Sequence, residues 1–257
     1  MNRRNLLLKL KGISKSFGAV QALEKINLDV YAGEVVALVG DNGSGKSTII
    51  KIICGFHQPD CGEIIYEGKL VRWNSPHNSR EKGIEVVYQD FALLPLMGVA
   101  RNFFLGKEIL SNKILSLLHK GKMHKKTNEA LIDLGIELKS TNLLVGKLSG
   151  GQRQSIAIAR SLYFGTKILI LDEPTASLSI KETKIVLATI RKVAKQGISI
   201  IFISHNVNHV YSVSDRFVVL FHGEKVLDIY KKDISVKEIT NAIVTGKKEE
   251  CFDDWVN

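Results

Sequence analysis

Cysteine, proline and tryptophan are scarce in this chain of 257 residues, at 3, 4 and 2. Cys54, Cys61 and Cys251 form no CxxC pair, leave an odd thiol over and have few histidines at metal spacing. That excludes a disulfide framework and a zinc site, and it suits a reducing compartment. Also missing is any run near the roughly 18 apolar residues of a membrane-spanning helix. The N-terminus is basic, but its apolar stretch Leu6-Leu7-Leu8 is too short for a signal-peptide core. The expectation is a cytoplasmic protein that does not itself cross a membrane. Internal repeats and low-complexity tracts are absent.

What is present is positive charge: 36 Lys and Arg against 26 Asp and Glu give a net charge of +10. Nucleic acid, an anionic lipid surface and a polyanionic ligand could each use it. No long basic block appears, which favours solubility together with phosphate binding. The length allows one domain or two small ones.

Residues 6–30 alternate, as in Ile26-Asn27-Leu28-Asp29-Val30, which predicts half-buried antiparallel strand. Residues 62–73 read as a hairpin turning near Glu67-Gly68. The apolar runs 35–39, 168–171 and 198–203 alternate with helical patterns, implying a parallel sheet covered on both faces. Residues 91–158 hold no convincing strand, and 127–134 carry helix-forming residues with apolar spacing, so this part reads as a helical subdomain. Its lysine-rich stretch, 119–126, reads as a solvated connecting loop, with a phosphate or lipid patch as the alternative.

Gly40-Asp41-Asn42-Gly43-Ser44-Gly45-Lys46-Ser47 fits GxxxxGK[ST], follows a predicted buried strand and opens a helix. Glycines let backbone N–H groups wrap phosphates, Lys46 reaches the outer phosphates and the Ser47 hydroxyl can bind Mg²⁺; Thr48 follows in the same first turn. Ile168-Leu169-Ile170-Leu171-Asp172-Glu173 is an apolar strand that delivers two carboxylates at its C-terminal end, where ligands sit in open α/β sheets. Asp172 would join the Mg²⁺ shell and Glu173 would polarise the attacking water. Leu148-Ser149-Gly150-Gly151-Gln152 is a second glycine-rich turn before a helix, forming an anion cradle from the Ser149 hydroxyl and the glycine N–H groups; taken alone it is also an ordinary helix N-cap.

LSGGQ is the signature of the ATP-binding cassette (ABC) ATPases, and the sequence resembles that family over nearly its whole length. The resemblance implies an α/β P-loop fold of ABC type with a mostly parallel core sheet, an antiparallel β-subdomain and a helical subdomain. It implies one nucleotide-binding domain over 1–257: 1–90 and 159–245 as catalytic core with β-subdomain, 91–158 as helical subdomain with the signature, and 246–257 as a tail. ATP and Mg²⁺ are the implied cofactors. The signature cradle would face ATP on a partner's phosphate loop, so a second cassette, an identical copy by expectation, completes the motor. Gln89 is assigned to the Q-loop, touching Mg²⁺ and water and relaying movement to membrane subunits. His205 resembles the switch histidine at the γ-phosphate, and Phe17 the aromatic on which adenine stacks, a core phenylalanine being the alternative. Ser179 stands where many of these ATPases have Asp at the end of the D-loop.

Stretches such as GDNGSGKST at 40–48, GFHQPDCGEI at 55–64 and NFFLG at 102–106 resemble the ATPases of ribose-type simple-sugar importers, in their single-cassette, fructose-type form. The implied partners are membrane-spanning permease subunits and, indirectly, an external sugar-binding protein, at the cytoplasmic face of the membrane. Nucleic acid is not expected. An exporter subunit, a nucleic-acid-linked ABC ATPase and a non-hydrolysing partner are the competing readings. The first shares every catalytic residue, the second lacks the coiled-coil, zinc or duplicated-cassette features it usually carries, and intact Lys46, Asp172, Glu173 and His205 oppose the third.

Overall fold

The computed structural model describes residues 5–88, 92–112 and 117–247. The described residues fall into two compact units. One draws on the chain up to Val86, on Thr166–Glu173 and on the chain from Ala194; the other on Val87–Gly165 and Pro174–Val193.

In the first unit, β1 (Leu6–Phe17) and β2 (Val20–Tyr31) alternate buried and exposed positions as the sequence predicts and pair antiparallel. β1 also pairs with β4 (Cys61–Tyr66), and β4 with β5 (Lys69–Val71), giving a four-stranded sheet ordered β2-β1-β4-β5. The turn between β4 and β5 falls at Glu67 and Gly68, both at positive φ. β3 (Val35–Gly40) is buried at all its positions, as a strand covered on both faces requires. It lies in a second sheet with β6 (Ile84–Val87), β9 (Ile168–Asp172), β10 (Ser199–Ile203), β11 (Arg216–Phe221) and β12 (Glu224–Tyr230), ordered β12-β11-β3-β10-β9-β6. β11, β3, β10 and β9 run parallel to one another, and β12 is antiparallel to β11. Helices α1 (Lys46–Ile53), α2 (Pro76–Glu81), α7 (Val207–Val213) and α8 (Val236–Thr245) accompany these strands. Leu38, Ile49, Ile53, Ile170, Ile201 and Val218 join residues of the antiparallel sheet in one continuous apolar cluster.

A buried ionic knot sits where β3 and β11 begin. The Arg216 guanidinium donates to both Glu34 carboxylate oxygens (2.8 and 3.1 Å), to Asp228 (2.6 Å) and to the Asp29 carbonyl, and Arg216 and Glu34 are almost fully buried.

The second unit contains α3 (Val99–Phe103), α4 (Lys120–Asp133), α5 (Gly150–Tyr163) and most of α6 (Ile180–Lys195). Phe103, Phe104, Tyr163 and Phe164 meet edge to face or tilted, with Phe103 and Phe104 fully buried. Two expectations are corrected here. The lysine-rich stretch 119–126 is not a loop: His119 caps α4, accepting from the Lys122 N–H, and Met123, Thr127 and Leu131 form its buried stripe. Residues 91–158 also contain strand, a short ribbon of β7 (Leu110–Asn112) and β8 (Leu117–Leu118). Among the described residues no helix is long and apolar enough to cross a membrane.

Candidate active site

The phosphate-loop pattern occupies the turn from β3 into α1. Gly45 is the N-cap of α1 at φ 102, a conformation open to glycine and strained for other residues. A Cβ on Gly45 would also lie 2.6 Å from Leu23 Cδ2 and 2.8 Å from the Ala22 carbonyl. The antiparallel sheet therefore presses directly on the loop. Lys46 Nζ donates to the carbonyls of Gly40 (2.8 Å) and Asp41 (2.7 Å) and lies 3.4 Å from Ser44 Oγ. Its ammonium is thus parked on the loop's own oxygens, where arriving phosphate oxygens can replace them. Burial lowers the Lys46 pKa, opposed by the negative charges of Glu173, Asp41 and Asp172.

β9 ends at Asp172, two strands from β3 in the same sheet. Burial raises the Asp172 pKa, and the neighbouring Glu173 charge raises it further. Two carboxylates crowded in this way favour a cation between or beside them. Glu173 adopts φ 49, a left-handed conformation that costs a side-chain-bearing residue roughly 1–2 kcal/mol. Hydrogen bonds hold it there. The Glu173 N–H donates to the Ile203 carbonyl at 3.0 Å, and its carboxylate accepts from Ser204 Oγ (3.0 Å), the His205 N–H (2.9 Å) and His205 Nδ1 (2.9 Å). The end of β10 thus aims the last carboxylate of β9. The Glu173 side chain is 18% exposed and that of His205 72%, so the carboxylate is shielded while the imidazole faces outward.

In the second unit, Ser149 caps α5. Its hydroxyl accepts from the Gln152 N–H (3.3 Å) and its own N–H donates to Gln152 Oε1 (3.1 Å), a reciprocal capping box;. Gly150 and Gly151 form the first turn of this helix, and the Gly151 N–H donates to Glu182 Oε1 at 3.4 Å.

Phe17 lies at the tip of the β1–β2 hairpin, paired with Val20, and is 45% exposed, which excludes the core alternative. Its ring meets His57 edge to face at 5.2 Å, with Lys15 Nζ 5.6 Å from the ring centre. Lys46, Asp172, Glu173 and His205 are gathered in the first unit, and Ser149 to Gln152 in the second. Gln89 lies outside the described residues. Sequence reasoning missed Ser204 and Glu182. Ser204 could have been noticed as the hydroxyl beside His205 at a strand end, and Glu182 as the fourth residue of a Ser-x-x-Glu capping pattern beginning at Ser179.

A glycine-rich turn leaving a central parallel strand, with paired carboxylates ending another strand of the same sheet, places the fold among the P-loop nucleotide-binding proteins. The chain belongs to the ABC transporter family, whose sequence profile matches residues 23–176. It is 45% identical over 239 residues to the xylose/arabinose import ATP-binding protein XylG of Sulfolobus acidocaldarius, covering 93% of this chain and 94% of that protein. With the fructose import ATP-binding protein FrcA of Rhizobium meliloti it shares 42% identity over 248 residues, 95% of each. Among solved structures it is similar to the ADP conformation of the ATP-binding cassette MJ1267, with TM-score 0.78, 26% identity and coverage of 93% of this chain and 95% of that one. A dimeric post-hydrolysis cassette, MJ0796 bound to ADP and phosphate, matches with TM-score 0.72 and 27% identity over 88% of this chain and 99% of that one.

Proposed function

We propose that this chain is the ATP-hydrolysing subunit of an importer for monosaccharides, working as a dimer of cassettes on the cytoplasmic face of the membrane against separate membrane-spanning subunits. The observation that carries the hydrolytic part is the Glu173 carboxylate, fixed by Ser204 and His205 at the end of β9. The names of the relatives support sugar import, and the dimeric cassette supports pairing.

ATP phosphates settle on the N–H groups of residues 40–48, and Lys46 exchanges the Gly40 and Asp41 carbonyls for phosphate oxygens;. Adenine stacks on the exposed face of Phe17. Mg²⁺ fits the donor set, a Ser47 hydroxyl and the crowded Asp172 carboxylate, with Gln89 as a further ligand;. When bound, Mg²⁺ neutralises phosphate charge. Glu173 orients water for attack and receives its proton, and His205 donates toward the γ-phosphate. The products are ADP and phosphate. Ser149, Gly150 and Gly151, with Gln152 closing the cap, contact the ATP bound to the partner cassette.

The surface for the membrane subunits lies around residues 94–97. Leu96 is 90% exposed and Leu94 47%, yet the loop is braced: buried Asn102 accepts from the Leu94 N–H (2.7 Å) and donates to the Leu94 and Met97 carbonyls (3.0 Å each). Exposed apolar side chains held by a braced loop, a few residues after Gln89 in sequence, suit a helix of a partner.

The test is Mg²⁺-dependent ATP hydrolysis across a protein concentration series, with and without nucleic acid, beside Glu173→Gln and Lys46→Ala. Activity per subunit should rise with concentration and ignore nucleic acid. Glu173→Gln should lose at least about 100-fold in rate while keeping ATP and trapping a dimer, and Lys46→Ala should lose binding. A Glu173→Gln chain as fast as the parent would remove Glu173 from the base role, and stimulation by DNA or RNA would favour the nucleic-acid-linked reading.

A further inference from the structure

Gly150 and Gly151 of the signature are not among the residues with positive φ, so conformational freedom does not explain why they are glycine. Their surroundings do. A Cβ on Gly151 would lie 3.0 Å from Glu182 Cβ and 3.2 Å from its Cα, and one on Gly150 would lie 2.6 Å from Leu178 Cδ2. The first turn of α5 therefore packs closely against the start of α6: a methyl group on Gly151 would have to push the Glu182 backbone away by a few tenths of an ångström, and one on Gly150 would have to displace the end of Leu178;. At this closest approach the two helix N-termini share one carboxylate. Glu182 Oε2 accepts from the Ser179 N–H (2.9 Å) and the Ser179 hydroxyl (2.8 Å), and Oε1 accepts from the Gly151 N–H (3.4 Å).

We propose that Glu182 is a positioning residue that joins the signature turn to the end of the D-loop at Ser179, so that the two segments meet a partner cassette as a single piece. The proposal rests on the dimeric reading given above. Each helix N-terminus carries partial positive charge, and without Glu182 two such ends face each other uncompensated. The hydrogen bonds from Ser179 and Gly151 hold the Glu182 carboxyl down at about 2, so the charge is present throughout the working pH range. Its bonds are unequal. The carboxylate is anchored on Ser179 and leans more weakly on Gly151 and the Ser149 side chain, so a phosphate reaching the signature turn can displace these weaker contacts while Glu182 keeps its grip on Ser179;. The serine at 179 also acquires a reason: an aspartate there would set a second carboxylate against Glu182, whereas a hydroxyl donates to it.

The experiment measures ATP-driven dimerisation by sedimentation across a protein concentration series, in a Glu173→Gln background with Mg²⁺ and ATP. Glu182→Ala should raise the concentration for half-maximal dimer about tenfold and leave single-subunit ATP affinity unchanged. Ser179→Asp should weaken dimerisation similarly, and Ser179→Asp with Glu182→Gln should recover it, because one carboxylate then again serves both helix ends. Should Glu182→Ala lose its fold, the Ser179→Asp pair decides alone. A lowered melting temperature with an unchanged dimerisation midpoint, or no recovery in the double variant, overturns the proposal. If the Glu173→Gln chain binds ATP but never associates, the dimeric reading falls first and the proposal with it.

Discussion

Glu173 Oε1 and His205 Nδ1 lie 2.9 Å apart, and the same carboxylate oxygen accepts the His205 backbone N–H. An ionised carboxylate only accepts, so Nδ1 donates to it and Nε2 points away from the acid; to donate to a phosphate as well, the ring must carry a proton on both nitrogens. The exposed edge of the imidazole is the one left for phosphate. His205→Ala is expected to leave ATP binding intact and slow hydrolysis by about 10²–10⁴-fold, measured by nucleotide titration beside single-turnover hydrolysis. A loss of binding equal to the loss of rate would place His205 in ground-state binding instead.

Asp172 sets up a pH-dependent cost. Its carboxyl pKa is raised in the folded chain by burial and by the Glu173 charge. An acid with a raised folded pKa is destabilising when ionised. The cost is absent below the unfolded value, about 3.9, and is fully present once pH exceeds the folded value. In nucleotide-free protein with chelator, Asp172→Asn should therefore melt higher than the parent at pH 7, with the difference shrinking toward zero as the pH falls below about 4. Adding Mg²⁺ and ATP should reverse the order, since the parent gains ligand stabilisation and the variant forfeits it.

Arg216 is the one cation in contact with the buried Glu34 carboxylate among the described residues. Removing it leaves that charge without compensation, so Arg216→Ala should cost about 3–5 kcal/mol, read from the urea midpoint. Arg216→Met with Glu34→Gln should recover part of the loss. If the double variant is as unstable as Arg216→Ala, the knot acts through the Asp29 carbonyl and Asp228 rather than through Glu34.

The central strands and the phosphate loop are legible in the sequence because their signals are local. The run Val35 to Val39 is short, rich in valine and ended by Gly40, which favours a buried strand over a helix;, and the loop pattern specifies its own backbone. The helix at Lys120–Asp133 is harder to read. Its buried stripe Met123, Thr127, Leu131 keeps helical spacing, but the threonine interrupts the apolar signal and the surrounding lysines imitate a loop. Ser204 and Glu182 escape for a different reason. Their partners, Glu173 and Gly151, lie far away in sequence, and a capping pattern that announces the start of α6 says nothing about which other helix end it meets.

The phosphate-loop strand also has an unusual timetable. β3 finishes at Gly40, yet both of its neighbours, β10 and β11, come from the last third of the chain. On a ribosome adding about 5–20 residues each second, those neighbours arrive roughly 10–40 s after β3 has emerged. During that interval β1, β2 and β4 can already pair with one another, whereas the loop for phosphate has a strand but no sheet. The nucleotide site is thus among the last parts of the molecule to exist, and a nascent chain stalled before residue 199 presents β3 as an unpaired apolar edge, a substrate for chaperones rather than for ATP.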